Sequence, residues 1–196
     1  MQALTASDGT RLEVSPLQPA DKSSLREGVK HLSPESAYRR FFVPTAHLSD
    51  GQLTYLTTLD HQRHEALGVS DPVTGEGVAV ARYIQTTDDP ATAEIAIAVI
   101  DRWQGKGVGR ALLNRLSAVA QARGIWRFSG LIQADNRRMI NLMSSLVAVV
   151  SRRILSETLG HLVCGSDHAA GGEHDDGGVV IELVGVDDSQ LVFDGS

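Results

Sequence analysis

Residues 104–110 read Gln104-Gly105-Lys106-Gly107-Val108-Gly109-Arg110, three glycines at alternate positions among basic side chains. They follow an apolar run, "ATAEIAIAVI" (91–100), and lead into "ALLNRLSAVAQ" (111–121), whose apolar residues recur at helical spacing. A strand that hands over to a helix exposes the helix's first backbone N–H groups. Those groups lack intrahelical partners and sit at the positive end of the dipole. With no side chains in the way, an anion can come close to them. The chemistry on offer is the binding of a phosphate-bearing ligand, with Lys106 and Arg110 adding charge. A tight turn alone accounts for one glycine better than for three, because glycine in a helix's first turns costs up to about 1 kcal/mol relative to alanine. Two phosphate motifs are excluded. Lys106 is followed by Gly107 where a P-loop has Ser or Thr, and Arg110 stands where a dinucleotide fingerprint has its third glycine.

A second candidate is Glu94, the one ionisable residue of the run 91–100. Strand alternation puts Ala93, Ile95, Ile97 and Val99 on one face, and Glu94, Ala96, Ala98 and Ile100 on the other. A carboxylate on a face of small residues is either a solvated strand end or a proton acceptor. His61 and His64 precede another strand, as surface histidines or as an additional base. His168, Glu173, His174, Asp175 and Asp176 lie in "GSDHAAGGEHDDGG" (165–178), whose composition predicts a loop. No rigid ligand spacing supports a metal there, so none is expected. Cys164, the only cysteine, forms no intramolecular disulfide and reads as a small buried residue.

The elements that must position these groups follow from periodicity. Strands are expected at 11–17, 64–71, 76–85, 91–100, 126–134, 147–153 and 178–186. Helices are expected at 18–32, 33–42, 48–59, 107–123 and 135–146. Ser33 and Pro34 open the second helix, Gly124 ends the fourth, and Asp135 caps the fifth. Antiparallel neighbours come first and strand–helix–strand units later. The fold class is therefore α+β, a mixed and mostly antiparallel sheet flanked by helices on both faces. Residues 1–196 read as one domain with a flexible insertion around 154–178. A net charge of −6 and a pI near 5.6 argue against a nucleic-acid binder. No segment resembles a signal peptide or a membrane span, so a cytoplasmic protein is expected.

"VIDRWQGKGVGRALL" resembles the acetyl-CoA signature of the GNAT N-acetyltransferase superfamily, Gln/Arg-x-x-Gly-x-Gly/Ala after a strand. "LIQADNRRMINLM" resembles its next strand and helix, and the element order of 11–146 agrees. "DGTRLEVSPLQPADKSSLREGVKHLSPESAYRRFF" is similar to the acetyltransferase domain of bacterial Pat-type protein-lysine acetyltransferases. The resemblance implies acetyl-CoA as co-substrate, with Gln104, Gly105, Lys106, Gly107, Val108, Gly109 and Arg110 at its pyrophosphate. It places Val99 and Ile100 along the pantetheine arm, with Asn136 as a further contact and Glu94 as general base. Transfer is direct to an amine, a protein lysine first. A small amine (polyamine, amino acid, aminoglycoside) and a non-catalytic acyl-CoA-binding module are the alternatives. The sequence departs from the family at Met143, where many members have a general-acid Tyr, and at Val147 and Ala148, where Gly-Phe is usual.

Overall fold

The computed structural model describes residues 2–41 and 47–144, and the backbone of two further strands, 148–155 and 178–184. Chain order is β1 (Gln2–Thr5), β2 (Arg11–Pro16), a 3-10 turn at Pro19–Asp21, α1 (Lys22–Lys30), α2 (Pro34–Phe41) and α3 (Asp50–Thr57). Then come β3 (His64–Ser70), β4 (Gly77–Gln85), β5 (Thr92–Val99), a 3-10 turn at Asp101–Trp103, α4 (Val108–Gln121), β6 (Arg127–Gln133), α5 (Arg137–Ser144), β7 (Ala148–Leu155) and β8 (Gly178–Val184). All eight strands form one sheet, ordered β1-β2-β3-β4-β5-β6-β8-β7. Only β5 and β6 run parallel, because α4 carries the chain from the end of one to the start of the other.

The expected class is met: mixed, mostly antiparallel, with helices on both faces. α4 packs on β3, β4 and β5 through Val108, Leu112, Leu113, Leu116 and Ala120, all fully buried. Each buried leucine is worth about 1.5–3 kcal/mol. The facing strand residues are those of one alternation, Ala81 and Tyr83 of β4 with Ile95 and Ile97 of β5. The opposite alternation, Arg82 and Ile84 with Ala96 and Glu94, lies under α2 and α3. There Arg82 Nη2 donates to the Leu56 carbonyl of α3 at 2.9 Å.

Four sequence expectations are corrected. β1 was not anticipated; it is short, and pairs with β2 across a turn at Asp8-Gly9, where Gly9 has φ +85°. α5 is capped by Asn136, not Asp135: Asn136 Oδ1 accepts from the Met139 amide at 3.1 Å. β7 runs two residues past its expected end, to Leu155, and β8 inserts between β6 and β7. Ile100 belongs to the turn after β5. The remainder of the insertion, with Cys164, His168, Glu173, His174, Asp175 and Asp176, lies outside the described residues, as does Val147.

Candidate active site

β5 and β6 are hydrogen-bonded only where they begin, Thr92–Glu94 against Arg127–Ser129. Beyond that point β5 stays with β4 as far as Val99, and β6 stays with β8 as far as Gln133. The sheet therefore opens into a wedge. Bonding orientation alternates along an antiparallel pair. Ile100 donates its N–H to the Val78 carbonyl at 3.0 Å, so Ala98 and Ala96 share that orientation. Ile97 and Val99 turn their peptide groups the other way, into the wedge.

The wedge leads to a groove of about 650 Å³ lined by Ile97, Val99, Gln104, Gly105, Gly107, Gly109, Arg110 and Asn136, among others. α4 points its N-terminus at this groove. Gly107 is the cap residue in the left-handed region, φ +78°, and Gly105 has φ +75°. These two glycines are therefore required by backbone conformation as well as by access. Gly109 is helical. A Cβ there would sit 3.5 Å from Leu142 and 3.6 Å from both Ile97 and Val99, at the narrow floor of the groove.

The side chains of Lys106, Ile100 and Val108 are directed elsewhere. Lys106 forms an ion pair with Asp8 at 3.0 Å and lies 4.6 Å over the Trp103 ring. Its carbonyl accepts from the Ser7 amide at 2.9 Å, so the β1–β2 turn clamps the loop from behind. Hydrogen bonds from Thr10, reinforced by Lys106, hold the Asp8 carboxyl at about 2. The Ile100 side chain is buried in the core, its N–H donates to the Val78 carbonyl and its carbonyl accepts from the Trp103 amide at 2.9 Å. The Val108 side chain is fully buried too, leaving its amide as the group it can offer a ligand. Sequence reasoning missed Arg39 and Arg40 of α2, which line the groove with Arg110 and Arg138. No periodic signal in "YRRFF" could have placed them there.

Asn136 is buried, and with its oxygen spent on capping α5 its NH2 is what it can present to a ligand. Met143 is buried in the main core, while its neighbours Leu142 and Asn141 line the groove.

Glu94 stands at the point of the wedge, the last β5 residue paired with β6, opposite Ser129. It is half-buried. Burial pushes its carboxyl above the usual carboxylate range, and Arg40 partly opposes the shift. His64 occupies the same transverse row on the same face, His64–Ile84–Glu94, roughly 10 Å of sheet away. Burial, then Arg82, lowers its imidazole to about 4. It packs against Tyr55 at 5.4 Å, and its Nε2 is buried without a hydrogen-bond partner. His61 faces the other way: its Nδ1 lies 2.8 Å from Glu65, which Arg123, just past the end of α4, holds at 2.9 Å. Among the described residues no group of three His, Cys, Asp or Glu could hold a metal ion.

A groove with a helix N-terminus at its rim, four arginines in its lining and apolar strand along its length suits an extended anionic ligand. Residues 34–146 match the profile of the Acetyltransferase (GNAT) family. The chain belongs to that family. It is 32% identical over 143 residues to acetyltransferase Pat of Mycolicibacterium smegmatis, covering 71% of this chain and 42% of that relative. The chain thus spans less than half of that protein's length. The GNAT domain of S. lividans PAT superposes with a TM-score of 0.73 and 27% identity, over 93% of this chain and 96% of that one. A Salmonella typhimurium acetyltransferase, yncA, solved with acetyl-CoA, shares the fold at a TM-score of 0.65 and 18% identity, over 88% of this chain and 93% of its own. No described helix is long and apolar enough to cross a membrane.

Proposed function

We propose that this acetyltransferase moves an acetyl group from acetyl-CoA directly to a protein lysine, with Glu94 as the proton acceptor. Acetyl-CoA is the co-substrate of the family reaction and supplies the activated acyl group. The amides that open α4 (Val108, Gly109, Arg110) and the groove arginines bind its phosphates. The outward peptide groups of Ile97 and Val99 orient the arm that reaches toward the point of the wedge. The observation that carries the reading is Glu94's position: half-buried, at the residue where β5 and β6 part, on the face covered by α2 and α3.

A lysine ammonium, with a pKa near 10.4, must lose a proton before its nitrogen can attack. Glu94 accepts that proton. The N–C bond forms, the C–S bond breaks, the nitrogen sheds a second proton to solvent as it becomes an amide, and the departing thiolate takes a proton from solvent. Met143 has no hydroxyl to supply one. The preference for lysine rests on the similarity to Pat, and Glu94 and the groove serve any amine equally well.

The test uses labelled acetyl-CoA with lysine peptides, a polyamine, amino acids and an aminoglycoside, read by mass spectrometry. Transfer to peptide lysine is expected. Transfer to a small amine alone would replace the acceptor class, and coenzyme A binding without transfer to any amine would make the chain a binding module. Glu94→Gln keeps shape and removes basicity. Turnover at neutral pH should fall by about 10²–10⁴, with the deficit shrinking toward the amine's own pKa. A deficit that stays constant from pH 6 to 10 would instead assign Glu94 a positioning role.

A further inference from the structure

Two side chains of the segment before α4, Asp101 and Gln104, reach α2 and the residue that opens it. Gln104 Nε2 donates to the Val99 carbonyl at 3.0 Å and to Ser36 Oγ at 3.0 Å. Ser36 Oγ donates to Asp101 Oδ1 at 2.9 Å. Ser33 gives the same carboxylate its hydroxyl, at 2.7 Å to Oδ1, and its amide, at 2.8 Å to Oδ2. Ser33 Oγ accepts in turn from the Ser36 amide at 3.2 Å.

Donor and acceptor accounting fixes the direction of every bond. The Val99 carbonyl can only accept, so the carboxamide must present its NH2. Ser36 then accepts the second amide hydrogen and has its single proton left for Asp101. The set joins three things: the outward carbonyl of the splayed strand, the loop leading to the α4 N-terminus, and the first turn of α2. One turn further along, α2 carries Arg39 and Arg40 into the groove.

We infer that Ser36 is a positioning residue for coenzyme binding, holding α2 and the glycine loop in the one arrangement in which arginines and helix amides face the same ligand. This rests on the reading of the groove as the acetyl-CoA site. A protein whose competent arrangement is only partly populated binds more weakly in proportion to that fraction. Removing the hydroxyl strands one Gln104 hydrogen and takes one donor from Asp101, so the arrangement should loosen.

Calorimetry with coenzyme A and steady-state kinetics test this on the whole chain. Absence of binding to the wild type would sink the groove reading itself. With wild-type binding established, Ser36→Ala should raise both the coenzyme A Kd and the acetyl-CoA KM by about tenfold, the scale of one lost hydrogen bond. Its kcat should change less than twofold, and Ser36→Thr should restore both constants. Gln104→Met removes the same link from the other side, so the double variant should bind no worse than the weaker single. Unchanged affinity in folded Ser36→Ala, or effects of the two variants that multiply, would overturn the inference.

Discussion

Gly107 carries two demands that substitution can separate. Its φ of +78° strains any other residue, while the space around a Cβ is open, with nothing within 4 Å. Gly107→Ala should therefore lose about 1–2 kcal/mol of stability from the left-handed backbone and little coenzyme affinity. Gly107→Glu should lose the same stability. It should also weaken coenzyme A binding by about tenfold or more, because a carboxylate then competes at the positive end of α4. Calorimetry on both variants checks this; equal affinities would place the phosphates elsewhere. At this scale the sequence was legible where backbone chemistry decides. Gly105 and Gly107 fall between β5 and α4, and Glu94 falls on the β5 face opposite Ile95 and Ile97, as spacing and alternation predict. It was not legible where a distant partner turns a side chain. Lys106 is claimed by Asp8, almost a hundred positions earlier, and Ile100 by the packed core. Arg39 and Arg40 reach the groove from α2, whose place beside the loop no local pattern encodes.

The wedge is a property of elements, and Gly130 marks where it starts. It follows Ser129, the last β6 residue paired with β5. A Cβ at Gly130 would lie 3.3 Å from the Ile95 carbonyl oxygen and 3.7 Å from the Ile95 side chain. Glycine lets the strands stay close up to Glu94 before they diverge. Gly130→Val should force them apart one residue early, at a cost of about 1–3 kcal/mol from overpacking. Because Ile95 adjoins Glu94, kcat should fall further than coenzyme A affinity. Thermal melts together with kcat and Kd check this, and a stable, fully active Gly130→Val would show that the opening does not depend on close approach there. Most elements were readable from periodicity, as the apolar stripe of α4 and the alternation of β5 show. β1 was not, being four residues whose pairing is fixed by a turn. Nor was the order β6-β8-β7, since a strand's spatial neighbours depend on tertiary pairing that local pattern does not encode.

Across the whole molecule, the groove and the sheet face under α2 and α3 meet at a carboxylate that the fold does not favour in its charged form. Asp89 shows the contrast. Hydrogen bonds from Thr92 and Arg127 lower its carboxyl to about 2, so it supports the fold above the ordinary Asp pKa and loses that role as pH falls toward 2. Glu94 has the opposite sign. Its folded-state pKa is raised by burial, with Arg40 offsetting only part of the rise. Its neutral form is the one the fold prefers, and ionising it above the raised pKa subtracts from stability. Glu94→Gln removes that penalty at neutral pH while removing the base. The variant should therefore melt above the wild type at pH 7–8, and the gap should close as pH drops below about 4.3, where an unperturbed Glu is protonated too. Melting curves from pH 4 to 8 measure this without any substrate. A Glu94→Gln protein that melts below the wild type at neutral pH would mean that Arg40 stabilises the carboxylate more than burial opposes it. Glu94 would then be a structural ion-pair partner, and a carboxylate so stabilised would be a poor acceptor for the ammonium proton.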